Sequence, residues 1–452
     1  MLGAITIRVS RALAAAAGAV LLAAASPALA QGQSQGQSQS QPVTGIHLGV
    51  ATCAGDNCHG AKQRPKGSAV LGNEYIIWGS RDRHRNAYRV LTEQRSIRMA
   101  RALGYKDAEH EPRCLACHAD YVPESQRGAQ FQLSDGVGCE ACHGGASGWL
   151  GIHISGASHD ANIAAGLYPT DRPLARAEKC LGCHYGDKTR FVDHLLIGAG
   201  HPRLPFELDT FTAAQPAHFV VDPAYIARKG RVTDLQVWAV GEAVALIKRM
   251  DTVLDPKRAR SGLLPEFVLF ECQSCHHNYD SLHAPRPTAT GLGPGTIKFN
   301  DANAVMLRLA ASRVAPDAAK ALSAHMMALH KATTDDWAGV EREATAVRKI
   351  AAALVPLLTK YEFTADDMRA LSGGAIAVGT GPDNWQSSHA EQVTMTLEAI
   401  VTSLRSAGIV GNAQADSMIA VLTQYKDVAN EASYRPEPFV KALRALQPGL
   451  GK

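Results

Sequence analysis

From about residue 301 to 446 apolar residues recur at helical spacing, and no cysteine interrupts them. Ile350, Leu354, Val355, Leu357 and Leu358 form one such stripe. Thr364-Ala-Asp-Asp opens a helix that ends at Gly373-Gly374. Ser388 caps a helix over 389–407 and Asn412 caps another over 413–428. The pattern predicts an antiparallel bundle of four to six helices across 301–452. Upstream the periodicity is patchier and the chain is rich in glycine and proline loops. Two helices stand out there: 81–104, capped by Ser80 and closed by Gly104, and 234–251, in which Trp238 is a packing residue. Residues 286–300, RPTATGLGPGTIKFN, read as a linker between the two regions.

The first thirty residues follow another pattern. Arg8 and Arg11 precede an alanine- and leucine-rich run that is shorter than a membrane span needs, and Ala28-Leu29-Ala30 has the small-x-small form of a cleavage site. Residues 1–30 therefore read as a signal peptide and 31–45, QGQSQGQSQSQPVTG, as a low-complexity linker. The expectation is a soluble periplasmic protein that does not span the membrane after cleavage.

Net charge is only +4, too mild to argue for nucleic acid. Aromatic residues make up 6 % of the 452, low for a chain with this much core to fill, so something other than aromatic side chains is expected to fill it. Ten cysteines in an exported chain would ordinarily suggest a disulfide scaffold. Their spacing argues otherwise. They form five pairs, each second cysteine followed at once by histidine: Cys53/Cys58-His59, Cys114/Cys117-His118, Cys139/Cys142-His143, Cys180/Cys183-His184 and Cys272/Cys275-His276. Four are C-x-x-C-H, for which this composition predicts about 0.01 chance matches.

The chemistry accounts for that spacing. Two thiols add to the two vinyl groups of one haem, and the adjacent histidine is held beneath the iron as proximal ligand. Zinc ribbons use paired cysteines too, but do not require a histidine after each pair. Cys53-AGDN-Cys58-His59 is a longer variant of the attachment motif; its alternative is a small disulfide loop, which an oxidising compartment permits. The reading is five covalent haems c on residues 46–285. So short a region cannot enclose five cofactors in separate pockets. A mainly α fold with much irregular loop, wrapped around a haem stack, is expected. Seven arginines, Arg81, Arg83, Arg85, Arg89, Arg95, Arg98 and Arg101, lie in the 81–104 segment; one or two are expected to pair with propionates.

Thirteen histidines remain beyond the five in the motifs. The runs WGSRDRHRNAY, EPRCLACHA and GVGCEACHGG, with His153 ten residues after His143, resemble the multihaem cytochrome c554 family, as do DHLLIGAGHPRLPFELD and FECQSCHH. The resemblance covers about 50–285. It implies periplasmic electron carriage by mostly bis-histidine haems stacked in parallel and perpendicular pairs, and marks His84 and His153 as distal ligands. Five haems and the C-terminal extension depart from the smaller carrier. From the residues themselves, His194 and His201 flank LLIGAG, where two glycines allow a close backbone approach to a porphyrin. His277 must point away from the haem of His276 and so could ligate a neighbour. His47, His110, His159, His218 and His283 are reserves, expected at the surface or on propionates; Met99 and Met250 are expected in the core. His325, His330 and His389 read as ordinary helix histidines.

The leading function is relay of single electrons between a membrane quinol dehydrogenase or another cytochrome and a periplasmic acceptor, with redox proteins as partners. The competing one is a haem oxidoreductase acting on a small nitrogen or sulfur compound at one five-coordinate iron. No C-x-x-C-K variant occurs, which counts against a lysine-ligated nitrite reductase. A third reading makes the C-terminal bundle a docking module.

Overall fold

The computed structural model describes residues 45–66, 68, 70–276, 290–293, 296–425 and 434–450. The expected signal peptide, residues 31–44 of the linker, His277 and His283 lie outside them. The described residues fall in one contact unit, Val43–Lys452. They are mainly helical. Among them, strands are confined to a small hairpin, β1 (Arg260–Ser261) with β2 (Leu264–Pro265), in antiparallel register Arg260 to Pro265.

Up to residue 230 the helices are short: α1 (Glu74–Arg81), α2 (Gln94–Ala102), α3 (Pro112–His118), α4 (Cys139–His143), α5 (Leu150–Ile154), α6 (His159–Ala164), α7 (Pro173–His184), α8 (His194–Gly198), α9 (Leu208–Ala214) and α10 (Pro223–Lys229). The expected helix over 81–104 is broken. Asp82 is extended and its carboxylate accepts the His84 backbone N–H, which starts a 3-10 turn at Arg83–Asn86 and turns His84 away from a helical course. Ser80 is not a cap: it sits within α1 and donates its hydroxyl to the Ile76 carbonyl at 2.6 Å. Apolar burial is sparse here. Among the described residues before Ala177, only Val50, Leu91, Ala100, Ala108, Leu115, Ala119, Ala146 and Trp149 are buried hydrophobics.

The core lies further on. The helix expected over 234–251 is α11 (Asp234–Leu254), started by a capping box in which Thr233 and Gln236 satisfy each other's backbone N–H groups. Its Trp238 is fully buried, with Nε1 donating to Thr396 Oγ1 at 3.0 Å. Around it pack α7 and α9 from the cysteine-rich half and α12 (Ala302–Val314), α14 (Trp337–Lys360) and α16 (Ser387–Ser406) from the other. The remaining helices are α13 (Pro316–Asp335), α15 (Ala365–Thr380), α17 (Asn412–Leu422) and α18 (Pro436–Leu450). One hydrophobic cluster runs from Ala177 and Leu181 to Leu450, so apolar packing is continuous across residue 285. Residues 296–300 are core as well: Lys298 and Phe299 are buried, and Phe299 bridges to Phe270.

The described part of 301–452 holds seven helices, where four to six were expected. The Gly373-Gly374 pair does not stop α15, which continues to Thr380. A Cβ on Gly374 would come within 2.8 Å of Leu309, so this glycine lets two helices cross closely. Gln386 and Gly411 are the N-caps of α16 and α17, displacing Ser388 and Asn412 from that role. In the stripe on α14, Leu354, Val355 and Leu358 are buried while Leu357 is half exposed.

Candidate metal centres

Three attachment motifs end helices. Cys114–His118 closes α3, started by Pro112 and capped by Glu111; Cys139–His143 forms α4; Cys180–His184 closes α7, started by Pro173. A separation of three on a helix puts both thiols on one face with the histidine beside them. The fifth motif begins as a 3-10 turn, Cys272–Ser274. The first starts from a 3-10 turn, Val50–Cys53, and its longer loop folds back on itself: Cys58 N–H donates to Gly55 O at 2.8 Å and His59 N–H to Cys53 O at 3.2 Å. All ten cysteines are free thiols, including Cys53 and Cys58.

The motifs adjoin in pairs. The Cys53 thiol hydrogen-bonds to Cys139, which lowers its pKa, and the Cys183 thiol to Cys117, which lowers that of Cys183. Cys142 lies near enough to Cys180 to feel its charge; burial above all pushes Cys142 up to about 12 and Cys180 up to about 11. The buried Glu140, inside the third motif, braces the first. Its Oε1 accepts N–H from Leu48 at 2.8 Å and Ala146 at 2.7 Å, and its Oε2 accepts N–H from Gly49 at 2.7 Å.

Each motif histidine faces one other histidine across a gap of nearly constant width. Ring centres are 6.1 Å apart for His59 and His153, 6.2 Å for His184 and His84, 6.4 Å for His118 and His201, 6.3 Å for His143 and His218, and 6.2 Å for His276 and His194. A metal–imidazole bond is about 2.0 Å and the nitrogen sits about 1.1 Å from its ring centre, so two imidazoles on opposite sides of one ion have centres roughly 6.2 Å apart. The spacing therefore fits one metal ion between two imidazoles at every motif.

The outer ring nitrogens are tied down as such a site requires. Nδ1 of His59 pairs with Glu74 at 2.9 Å and Nδ1 of His84 with Asp82 at 2.9 Å. Nδ1 of His118 donates to the Ala87 carbonyl at 2.8 Å and Nδ1 of His201 to the Pro202 carbonyl at 2.7 Å. Each bond leaves Nε2 for the gap. The carboxylates raise the pKa of His59 and His84 against the effect of burial. Burial lowers His118, His153 and His201, and takes His143 and His184 down to about 4, with the facing His218 and His84 adding to it. A depressed pKa keeps an imidazole neutral, the form that binds metal.

Of the expected distal residues, His84, His153, His194 and His201 each stand opposite a motif histidine. His277 lies outside the described residues. His218, expected as a surface reserve, takes the remaining position opposite His143. Its flanking run AQPAHFVVD has no periodicity that would point it inward, and elimination among the spare histidines was the one signal available. The other described reserves are held by carboxylates: His47 by Asp120 at 2.7 Å, His110 by Asp107 at 2.9 Å and His159 by Asp171 at 3.1 Å. Met250 is core, and Met99 lies beneath Gly200, next to His201. In the arginine-rich segment, Arg95 donates to the Gly200 carbonyl at 2.6 and 2.9 Å, fixing the turn that carries His201, and Arg89 pairs with the exposed Glu93. His325, on α13, is held by Glu343 at 2.8 Å.

A fold of short helices with paired thiols and paired imidazoles fits a c-type cytochrome. Residues 52–144 match the family model described as cytochrome c554 and c-prime. This stretch contains the first three motifs and is about a fifth of the chain; it supports a c-type cytochrome with covalently bound haem c and electron transfer as its chemistry. Neither the curated proteins nor the solved structures contain a match to the chain. Among the described residues, no helix is long and apolar enough to cross a membrane.

Proposed function

We propose that this protein is a periplasmic pentahaem electron carrier, in which each haem c is held by two thioethers and two imidazoles. The observation that carries the reading is the set of five facing histidine pairs at 6.1–6.4 Å, one for every attachment motif. When bound, each haem supplies a one-electron iron couple. The chain's own groups do the rest. The motif cysteines would anchor each haem and the facing imidazoles would hold its iron, while Glu74 and Asp82 raise the basicity of His59 and His84. The sparse apolar burial before Ala177 fits a region whose core is the cofactors themselves. The thiol neighbours Cys53 and Cys139, Cys142 and Cys180, and Cys183 and Cys117 support an order first, third, fourth, second for four of the five centres, as a wire for single electrons would need. The carrier would relay between a membrane quinol dehydrogenase or other cytochrome and a periplasmic acceptor.

The alternative, a haem oxidoreductase acting on a small nitrogen or sulfur compound, needs an iron with an open face. A second imidazole at all five motifs counts against it. The test is electron paramagnetic resonance of the oxidised protein after its haem content is measured by mass spectrometry. Five covalent haems, all low-spin, are expected. A high-spin signal from one haem overturns the carrier reading, and four haems with Cys53 and Cys58 unmodified overturns the pentahaem one.

A further inference from the structure

Two of the facing histidines, His194 and His201, come from one short segment yet stand opposite different motifs. His194 faces His276 of the fifth motif at 6.2 Å, and His201 faces His118 of the second at 6.4 Å. Between them lies α8 with the turn that closes it. Asp193 caps this helix by accepting the Leu196 N–H on Oδ1 at 2.8 Å. At the other end Gly200 takes a φ of 113°, and the His201 N–H returns to the Leu196 carbonyl at 3.1 Å. His201 is thus hydrogen-bonded to the helix that His194 begins. At about 1.5 Å of rise per residue, the path from one histidine to the other advances no more than about 10 Å.

Both ends of the segment are fastened from outside. Arg113, next to Cys114 of the second motif, places Nη2 at 2.6 Å from Asp193 Oδ2, and its Nη1 donates to the Tyr105 hydroxyl at 3.4 Å. The His194 N–H donates to Oε1 of the buried Glu266 at 2.8 Å. The same oxygen accepts the Val268 N–H at 3.2 Å, which opens the 3-10 turn Phe267–Leu269 ahead of the fifth motif. Phe267 packs against His194 with ring centres 5.5 Å apart. At the far end Arg95 of α2 donates twice to the Gly200 carbonyl, at 2.6 and 2.9 Å, and Met99 of the same helix lies 3.5 Å from where a Cβ on Gly200 would stand. Asp193 joins these parts: one oxygen caps α8, the other holds the second motif through Arg113, and its chain neighbour is His194.

We propose that α8 with its closing turn is a single clip for the second and fifth redox centres, and that Asp193 is the positioning residue that sets both facing imidazoles together. The fifth centre then joins the wire beside the second. The order becomes first, third, fourth, second, fifth, and the relay has the first and fifth centres as its two ends. A displacement of the clip moves both imidazoles against their motif histidines, so ligation at two centres answers to one ion pair. His84, His153 and His218 each come from a segment of their own, so the other three centres are not tied to α8 in this way. This inference rests on the pentahaem reading.

The test is electron paramagnetic resonance of the oxidised, full-length, haem-loaded protein, with the haem content of every motif established first by peptide mass spectrometry. His194→Ala and His201→Ala should each remove one low-spin signal in five, which marks the fifth and the second centre. Asp193→Ala is then expected to shift or abolish those two signals together and to leave the other three as in the wild type. Asp193→Asn keeps an oxygen for the Leu196 N–H but not the charge facing Arg113, and should shift the same two signals by less. Arg95→Ala frees the clip at its far end; it should also move both signals, and it serves if Asp193→Ala does not fold. A change confined to one of the two signals, a change spread over all five, or an unchanged spectrum overturns the proposal. A bare Cys272–Cys275 pair, or His194→Ala with every low-spin signal intact, would instead refute the pentahaem reading, and the clip with it.

Discussion

Glu140→Gln isolates the brace between the first and third motifs. The wild-type carboxylate accepts three backbone N–H groups, from Leu48, Gly49 and Ala146, at 2.7–2.8 Å. Bonds to a charged acceptor contribute roughly 1.5–3 kcal/mol each and neutral ones roughly 0.5–1.5 kcal/mol. Glutamine keeps one acceptor oxygen. Placed at the Oε1 position, it weakens the bonds to Leu48 and Ala146 by about 1 kcal/mol each and turns an NH2 toward the Gly49 N–H, leaving that donor unpaired at about 1–3 kcal/mol. Removing a buried charge offsets part of this, for a net loss of about 2–4 kcal/mol. Hydrogen exchange read by mass spectrometry should then show the amides of residues 48, 49 and 146 opening about 30- to 700-fold more often. The rest of the chain, α11 above all, should keep its protection. Exchange at 48–49 within about threefold of wild type would show that Glu140 does not tie the two motifs together.

His218→Ala removes the imidazole opposite His143, so one haem in five should become high-spin by electron paramagnetic resonance; His110→Ala, exposed and bound to Asp107, should leave the spectrum unchanged. Trp238→Ala should lower stability by about 3–5 kcal/mol in chemical denaturation, because it empties a fully buried site and strands Thr396. Asp367 is pushed up by burial, but hydrogen bonds from the Thr364 backbone, Arg313 and Tyr361 outweigh this and hold it below the usual carboxylate pKa. Its stabilisation is fully present above the unfolded value of about 4 and is lost as pH falls below it toward the folded value. Asp367→Asn should therefore cost about 1–2 kcal/mol at neutral pH, in thermal melts, and much less at the acid end.

The motifs were legible in the sequence because covalent attachment would impose local spacing: two thiols and a ligand must fall within one turn or one loop. The histidines that face the motif histidines were partly legible. His84, His153, His194 and His201 came from motif resemblance and from glycine-flanked loops, whereas nothing local marks His218. Helix starts and stops failed where long-range contacts overrode propensity. Asp82 breaks the arginine-rich segment by capping His84, and Gly374 is a helix crossing that reads in sequence as a helix end. The buried contacts of Asp301 with Lys298, His330 and His389 were invisible for the same reason: the two histidines come from separate helices, and each residue taken alone is an ordinary polar one.

The histidine pairs also bear on how the proposed cofactors would tie the chain together. His143 and His218 are 75 residues apart in sequence, and His84 and His184 are 100 apart. With an iron in each gap, every pair becomes a cross-link closing a long loop, and loops of that size restrict an unfolded chain by about 4–5 kcal/mol each when a covalent link closes them. The loops 59–153, 84–184, 118–201, 143–218 and 194–276 overlap like roof tiles, each beginning before its predecessor ends. A cut at any point between residues 59 and 276 opens at least one of them. On the pentahaem reading there is accordingly no seam at which this region could be divided, shortened or grafted without unmaking a redox centre, and such a wire could be inherited only whole.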